Sequence, residues 1–397
     1  MFEKIVLRRS DNGPSLTAGE LAEALLFYQS VHLVLDYGCL NGLIKQIGMP
    51  TLVSLLTRPN VSAVYCENML GTHTETKNNV ATHSFVAFSF AGDKEVGALN
   101  SRKKILEYQL TKIHAYDKKQ AKRLVERFRR KVPFRDLTKD HFIEGGILKA
   151  AKLDLHDHSF IHDAVRLTLF ELIGQENTPQ NFTFKAHSSK SGFQIETDID
   201  FLRINEEIKK RQSFDGDITP AHLIGNVLNA RADTILASYY GGEFYTSNLT
   251  SDIIQIKYFE LLRRIGIEKK ELQEFTKIVV STAPSLREVI NSKERSFDEF
   301  LTMLDKSQRF REWAKGVNPD EKLVKEYWNE VSSEGWINKL PSKALRYLIG
   351  ATVGAVEPVY GLVVSAADSF LLEKIIGGWR PSHFVERTLK PFIEDER

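Results

Sequence analysis

Three groups of side chains in this sequence have the types and spacing to do chemistry. The first is a pair of carboxylates. Asp36 follows the apolar run Val31-His-Leu-Val-Leu35, and Glu67 closes a second run from Val61 to Cys66. Each run has the length and β-branched content of a buried strand. If the strands are parallel neighbours, both carboxylates leave the same edge of a sheet, where α/β folds bind ligands. Two carboxylates with water suit a divalent cation such as Mg²⁺ or Mn²⁺, which can activate water against a phosphodiester. The second group is Leu153-Asp-Leu-His-Asp-His-Ser-Phe-Ile-His-Asp163, in which His158 and His162 stand four residues apart. On a helix they share a face and could chelate Zn²⁺ or another borderline metal, with His156 or Asp154 added from the entering loop.

The third group is a run of cations. Residues 101–135 hold thirteen Lys or Arg against Glu107, Asp117 and Glu126, a local charge of +10 in a chain whose total is +2. Asp117 is placed to cap a helix ending near Lys131. Its inward stripe is Ala121, Leu124, Val125, Phe128 and Val132. Lys118, Lys119, Lys122, Arg123, Arg127, Arg129 and Arg130 then cover the rest of the circumference. Such a helix suits the phosphates of a nucleic acid or an acidic protein surface. Phe128 belongs to the inward stripe, so it is not offered for stacking on bases. A fourth, weaker pattern is the acidic row Glu196, Asp198 and Asp200, opposite Phe193, Ile195, Ile199 and Phe201. Alternation of this kind is ordinary for a half-buried strand.

The segment from Val34-Leu35-Asp36 through a helix to Val61-Ser-Ala-Val-Tyr-Cys-Glu67 resembles the first two acidic positions of PIN-type ribonucleases. The resemblance implies a divalent metal and phosphodiester hydrolysis at Asp36 and Glu67. Past Glu67 the sequence departs from that pattern, with a polar loop and a strand where further acidic helices would stand.

The elements that must position these groups can be read in outline. Thr17 and Glu20 form a capping box ahead of a helix carrying Leu21, Ala24, Leu25 and Tyr28. Helical segments fill about 40–57 and break near Met49-Pro50, and His83 to Phe90 reads as a strand. Residues 158–173 read as a helix, and the arms around 182–185 and 192–201 as a β-hairpin. From about 213 the pattern is almost wholly helical, with start signals at Thr219-Pro220, Ser296 with Glu299, and Asn318-Pro319. The expected fold is an α/β N-terminal half, with a small, partly parallel sheet, helices and a β-hairpin, followed by an all-α C-terminal domain. The expected domains are 1–212, with the basic insertion at about 101–135, and 213–397.

Composition narrows the function further. Two cysteines without CxxC spacing fit a reducing compartment, and the N-terminal apolar stretch is too short for a signal-peptide core, so the expected address is the cytoplasm. The chain lacks GxxxxGK[ST], GxGxxG after a strand, HExxH, GxSxG and the kinase signature set. The apolar stretch 347–372, rich in Gly and Ala, is interrupted by Glu357-Pro358 and followed by Asp368, which argues for buried helices against a membrane span. The leading expectation is a cytoplasmic, non-enzymatic interaction protein that uses the basic helix on nucleic acid or an acidic partner. The alternatives are a metal-dependent phosphodiesterase or nuclease using Asp36 and Glu67, and a membrane-perturbing effector acting through 347–372.

Overall fold

The fold is given by a computed structural model. It describes residues 4–8, 16–66, 68–78, 80–89, 102–137, 146–189, 192–211, 217–245, 249–250, 252–254, 256–257, 284–308, 346–347 and 392. Most of the expected C-terminal helices, including 348–372, lie outside the described residues, as does Glu67.

Two sheets organise the chain. The first has the order β3-β2-β1-β8-β9, built from β1 (Lys4–Arg8), β2 (Ser30–Leu35), β3 (Val61–Tyr65), β8 (Glu243–Tyr245) and β9 (Arg346–Tyr347). β1, β2, β3 and β8 run parallel, and β9 closes the edge antiparallel. Parallel neighbours need long crossovers, and the helices supply them. α1 (Ala18–Phe27) links β1 to β2. α2 (Tyr37–Ile47) and α3 (Met49–Leu55) link β2 to β3. The Thr17–Glu20 capping box starts α1, and Gly48, at φ +79°, makes the break between α2 and α3. That left-handed angle suits glycine, which has no Cβ to clash.

Alternation along the strands sends side chains to two cores. Ile5, Leu7, Leu33, Leu35, Ala63 and Tyr65 pack under α1 to α3. Val6, Val34 and Val64 point the other way, onto α6 (Gly146–Asp154) and α10 (Gly225–Tyr240) through Ala151, Leu228, Ala232 and Leu236. The first core also takes in α4 (Arg102–Tyr108), α5 (Lys118–Lys131), α11 (Pro284–Asn291) and α12 (Phe297–Asp305).

The second sheet is antiparallel, in the order β4-β5-β7-β6. Its strands are β4 (Asn68–Lys77), β5 (Val80–Ser89), β6 (Phe184–Ser188) and β7 (Phe193–Thr197). It packs on α7 (His158–Ile173), α8 (Phe201–Arg211) and the short α9 (Pro220–Leu223), around Phe160, Val165, Phe184, Phe193 and Leu223.

The N-terminal half is thus α/β, with a parallel sheet, an antiparallel sheet and helices. Two readings need correction. The segment after Glu67, expected as a polar loop, is the ten-residue strand β4. It is an edge strand with most of its residues exposed or half-buried, so Thr72, Thr74 and Thr76 replace the apolar alternation that would have marked it. The stretch after 213, expected to be an almost wholly helical domain, contributes β8 and β9, of three and two residues. Strands so short leave no periodicity to detect. α10, α11 and α12 share both cores of the parallel sheet with residues from the N-terminal half.

Candidate functional site

The basic helix α5 is held from both ends. Asp117 accepts hydrogen bonds from the backbone N–H groups of Lys119 at 2.9 Å and Gln120 at 3.0 Å. Beyond its last turn the chain returns to β3, where the N–H groups of Tyr65 and Arg135 bond to Pro133 O and Tyr65 O, each at 3.0 Å. Between these anchors Ala121, Leu124, Val125 and Phe128 are buried. The helix packs on α3, α4 and the π-helical turn Gln109–Ile113.

The inward face is therefore fixed, and the cations face out. Lys118, Lys119, Lys122, Arg123, Arg127 and Arg130 are all exposed, as are Arg129 and Lys131. Among the described residues none of these eight lies within ion-pair distance of a carboxylate. The one acid on the helix, Glu126, is taken by Lys103 of α4, whose hydrogen bond holds its carboxyl below the usual range. Arg129 and Arg102 sit over the Phe134 ring at 5.7 and 6.0 Å. Arg129, Arg130 and Lys131 occupy the last turn, where the helix dipole favours cations.

At the carboxyl edge of the parallel sheet, Asp36 follows β2 as expected, and β2 and β3 are parallel neighbours. Its carboxylate caps α2, accepting the Cys39 N–H at 2.7 Å, and is buried. Cys66 follows β3 and bonds its N–H to Leu35 O at 2.7 Å. Its thiol is pushed up to about 12, first by burial and then by the Asp36 charge, with Arg8 opposing. Arg8 itself is buried and bonds Asp233 of α10 at 2.7 Å and Asn229 at 3.2 Å. This edge carries the buried Arg8–Asp233 ion pair. Its second expected carboxylate, Glu67, lies outside the described residues.

The histidines divide. Asp157 caps α7, accepting the Phe160 N–H at 3.2 Å, so His158 and His162 do stand one turn apart on a helix. Their rings go to different neighbours. His162 stacks on Phe182, with centroids 4.4 Å apart, while His158 faces His187 of β6 at 6.4 Å. Among the described residues no group of three or more His, Cys, Asp or Glu is arranged to hold a metal ion.

Beside His158 lies a cavity of about 410 Å³ lined by Leu153, Asp154, His156, Asp157, His158 and Lys257. At its floor the buried Asp154 carboxylate receives Arg231, through Nε at 2.8 Å, and Lys257. Lys257 Nζ also sits 4.6 Å from the centre of the Phe160 ring. Burial lowers the Lys257 pKa, against the pull of Asp154. The acidic row is spent on structure: Asp198 accepts the Thr183 N–H at 2.6 Å, and Asp200 accepts those of Leu202 and Arg203 at 3.0 and 3.1 Å. Glu196 alone reaches a functional type of side chain, His187, at 3.2 Å.

His187, Arg231 and Lys257 carry no local signal that would single them out. Lys257 lines the cavity, His187 stands beside His158 and Arg231 bonds Asp154, each brought there by packing between segments far apart in sequence. Among the described residues no helix is long and apolar enough to cross a membrane. Compared with protein-family models, curated proteins and solved structures, the chain matches none.

Proposed function

We propose that this protein binds nucleic acid by laying the outward face of α5 along the phosphate backbone. The observation that carries the reading is the set of eight exposed cations without ion-pair partners among the described residues, on a capped helix. Lys118/Lys122, Lys119/Arg123, Arg123/Arg127 and Arg127/Lys131 are like-charge pairs four residues apart. Each such pair costs an exposed helix roughly 0.2–0.5 kcal/mol, so the four together hold about 1–2 kcal/mol of repulsion in the free protein. A polyanion relieves that repulsion.

Nucleic acid fits better than an acidic protein surface because the cations spread over more than half of the circumference along fourteen residues. That length is about 21 Å. Duplex nucleic acid presents one charge per roughly 1.7 Å of axis, a density and regularity that an acidic protein surface lacks. With Phe128 buried under the helix, recognition rests on phosphates and carries little sequence preference. The two free cysteines, both buried, accord with a cytoplasmic address. Fluorescence anisotropy with labelled duplexes of unrelated sequence tests the reading. Similar affinities that fall steeply with salt support it. Tighter binding to a poly-glutamate peptide of equal charge would favour the acidic partner.

A further inference from the structure

The cavity beside α7 contains proton-transfer groups that the binding role leaves unused, and it lies in a different core from the basic helix. We infer that it is an RNA-cleaving site, in which His158 and His187 handle the protons of a phosphodiester transfer and Lys257 holds the phosphate. The inference goes beyond the binding role and does not depend on it.

The geometry supplies each part. The His158 and His187 rings stand with centroids 6.4 Å apart and planes inclined at 54°. At that separation both can reach oxygens of a single phosphate through hydrogen bonds of about 2.7–3.2 Å. Glu196 lies against His187 Nε2, which orients that ring and leaves Nδ1 for proton transfer. His158 makes no hydrogen bond with its ring nitrogens among the described residues, so both are available to a ligand. Lys257 is pinned in the cavity wall between Asp154 and the Phe160 ring. Lys257 gives one of its three N–H donors to Asp154, which Arg231 also reaches, and among the described residues it has no second acceptor, which leaves donors for anionic oxygens.

This set of groups suits RNA because the ribose 2′-hydroxyl is a built-in nucleophile. His158 takes the 2′-hydroxyl proton as O2′ forms a bond to phosphorus. The P–O5′ bond breaks, and His187 gives a proton to the departing O5′. Lys257 stabilises the charge that gathers on the non-bridging oxygens. One proton is taken and one returned, and the products are a 2′,3′-cyclic phosphate and a 5′-hydroxyl. DNA lacks the nucleophile and is left intact.

The test uses the full chain with a uridylyl-adenosine dinucleotide, in EDTA, with products separated by chromatography. The dinucleotide is too short to span α5, so a failed helix reading and a failed cavity reading are told apart. The expected result is a cyclic phosphate product, no cleavage of the 2′-deoxy dinucleotide, and at least a ~100-fold lower rate for His158→Ala and for His187→Ala. Both histidines are exposed, so the variants should keep the wild-type melting temperature. Any one of three results overturns the inference: no turnover by wild type, cleavage undiminished in both histidine variants, or equal cleavage of the deoxy substrate.

Discussion

Charge reversal on α5 can be worked through quantitatively. At 100° per residue, Lys119, Arg123, Arg127 and Arg130 project away from the buried Ala121–Phe128 stripe. If these four neutralise four phosphates of a duplex, log K falls against log salt with a slope of about −3.6. Raising salt from 50 to 200 mM should then weaken binding roughly 150-fold. Replacing Lys119, Arg123 and Arg130 with Glu leaves one of the four, so the slope should flatten to about −1 and the same salt change should cost only about fourfold. The fold should survive, because none of the three belongs to the buried stripe and, among the described residues, none has an ion-pair partner to lose. Anisotropy titrations at four salt concentrations read both slopes, and circular dichroism checks the helix. A folded triple variant with the wild-type affinity and slope would refute the assignment of α5 to phosphates.

Asp117→Ala removes the cap of the same helix and should cost about 0.5–2 kcal/mol by urea unfolding, with weaker binding as the first turn frays. Asp233→Ala takes one buried carboxylate away from the buried Arg8 guanidinium and should cost about 3–5 kcal/mol. Combining Arg8→Met with Asp233→Leu should restore most of that loss, and a double variant no more stable than Asp233→Ala would reject the explanation. The Cys66 thiol is raised in the folded state, so the contribution of its burial is complete below its unfolded pKa of roughly 8.5 and declines as pH climbs toward about 12. Ellman's reagent at pH 8 should accordingly find no reactive thiol in the native protein and two after unfolding. Rapid labelling of native Cys66 would contradict its burial.

Elements whose stability is local were the ones legible in the sequence. The Thr17–Glu20 and Ser296–Glu299 capping boxes and the Asp117 cap each form as their spacing dictates. Cap geometry involves residues within one turn, so three or four positions of sequence contain the whole interaction. β2 and β3 are similarly plain, because strands largely buried on both faces are mostly apolar, with His32 and Ser62 among the exceptions. β4 was missed because it is an edge strand with a single buried residue, Leu70, and β8 because three residues carry no period. For Asp36, sequence located the carboxylate at the carboxyl edge of the sheet but left its use open; in the structure it caps α2.

The histidines show where local reasoning stops. Spacing of four correctly places His158 and His162 on the same side of α7. A shared helical face fixes only the Cα–Cβ directions, and the ring position still depends on χ1 and χ2. Those torsions answer to whatever packs alongside. Phe182 offers His162 an aromatic surface, and stacking there turns the ring away from its neighbour. β6 lies against α7 one turn earlier, and it brings His187 from 29 positions along the chain to face His158. Glu196 then comes from β7 as the direct cross-strand neighbour of Lys185, diagonal to His187, close enough to hydrogen-bond it. A window of any reasonable length around residue 158 contains neither His187 nor Glu196 nor Lys257. The constellation exists only because an antiparallel hairpin docks on a helix, and the docking is driven by Phe160, Phe184 and Phe193 in the core beneath it. Substituting Phe184 with Ala should therefore disturb the His158–His187 pair without touching either ring.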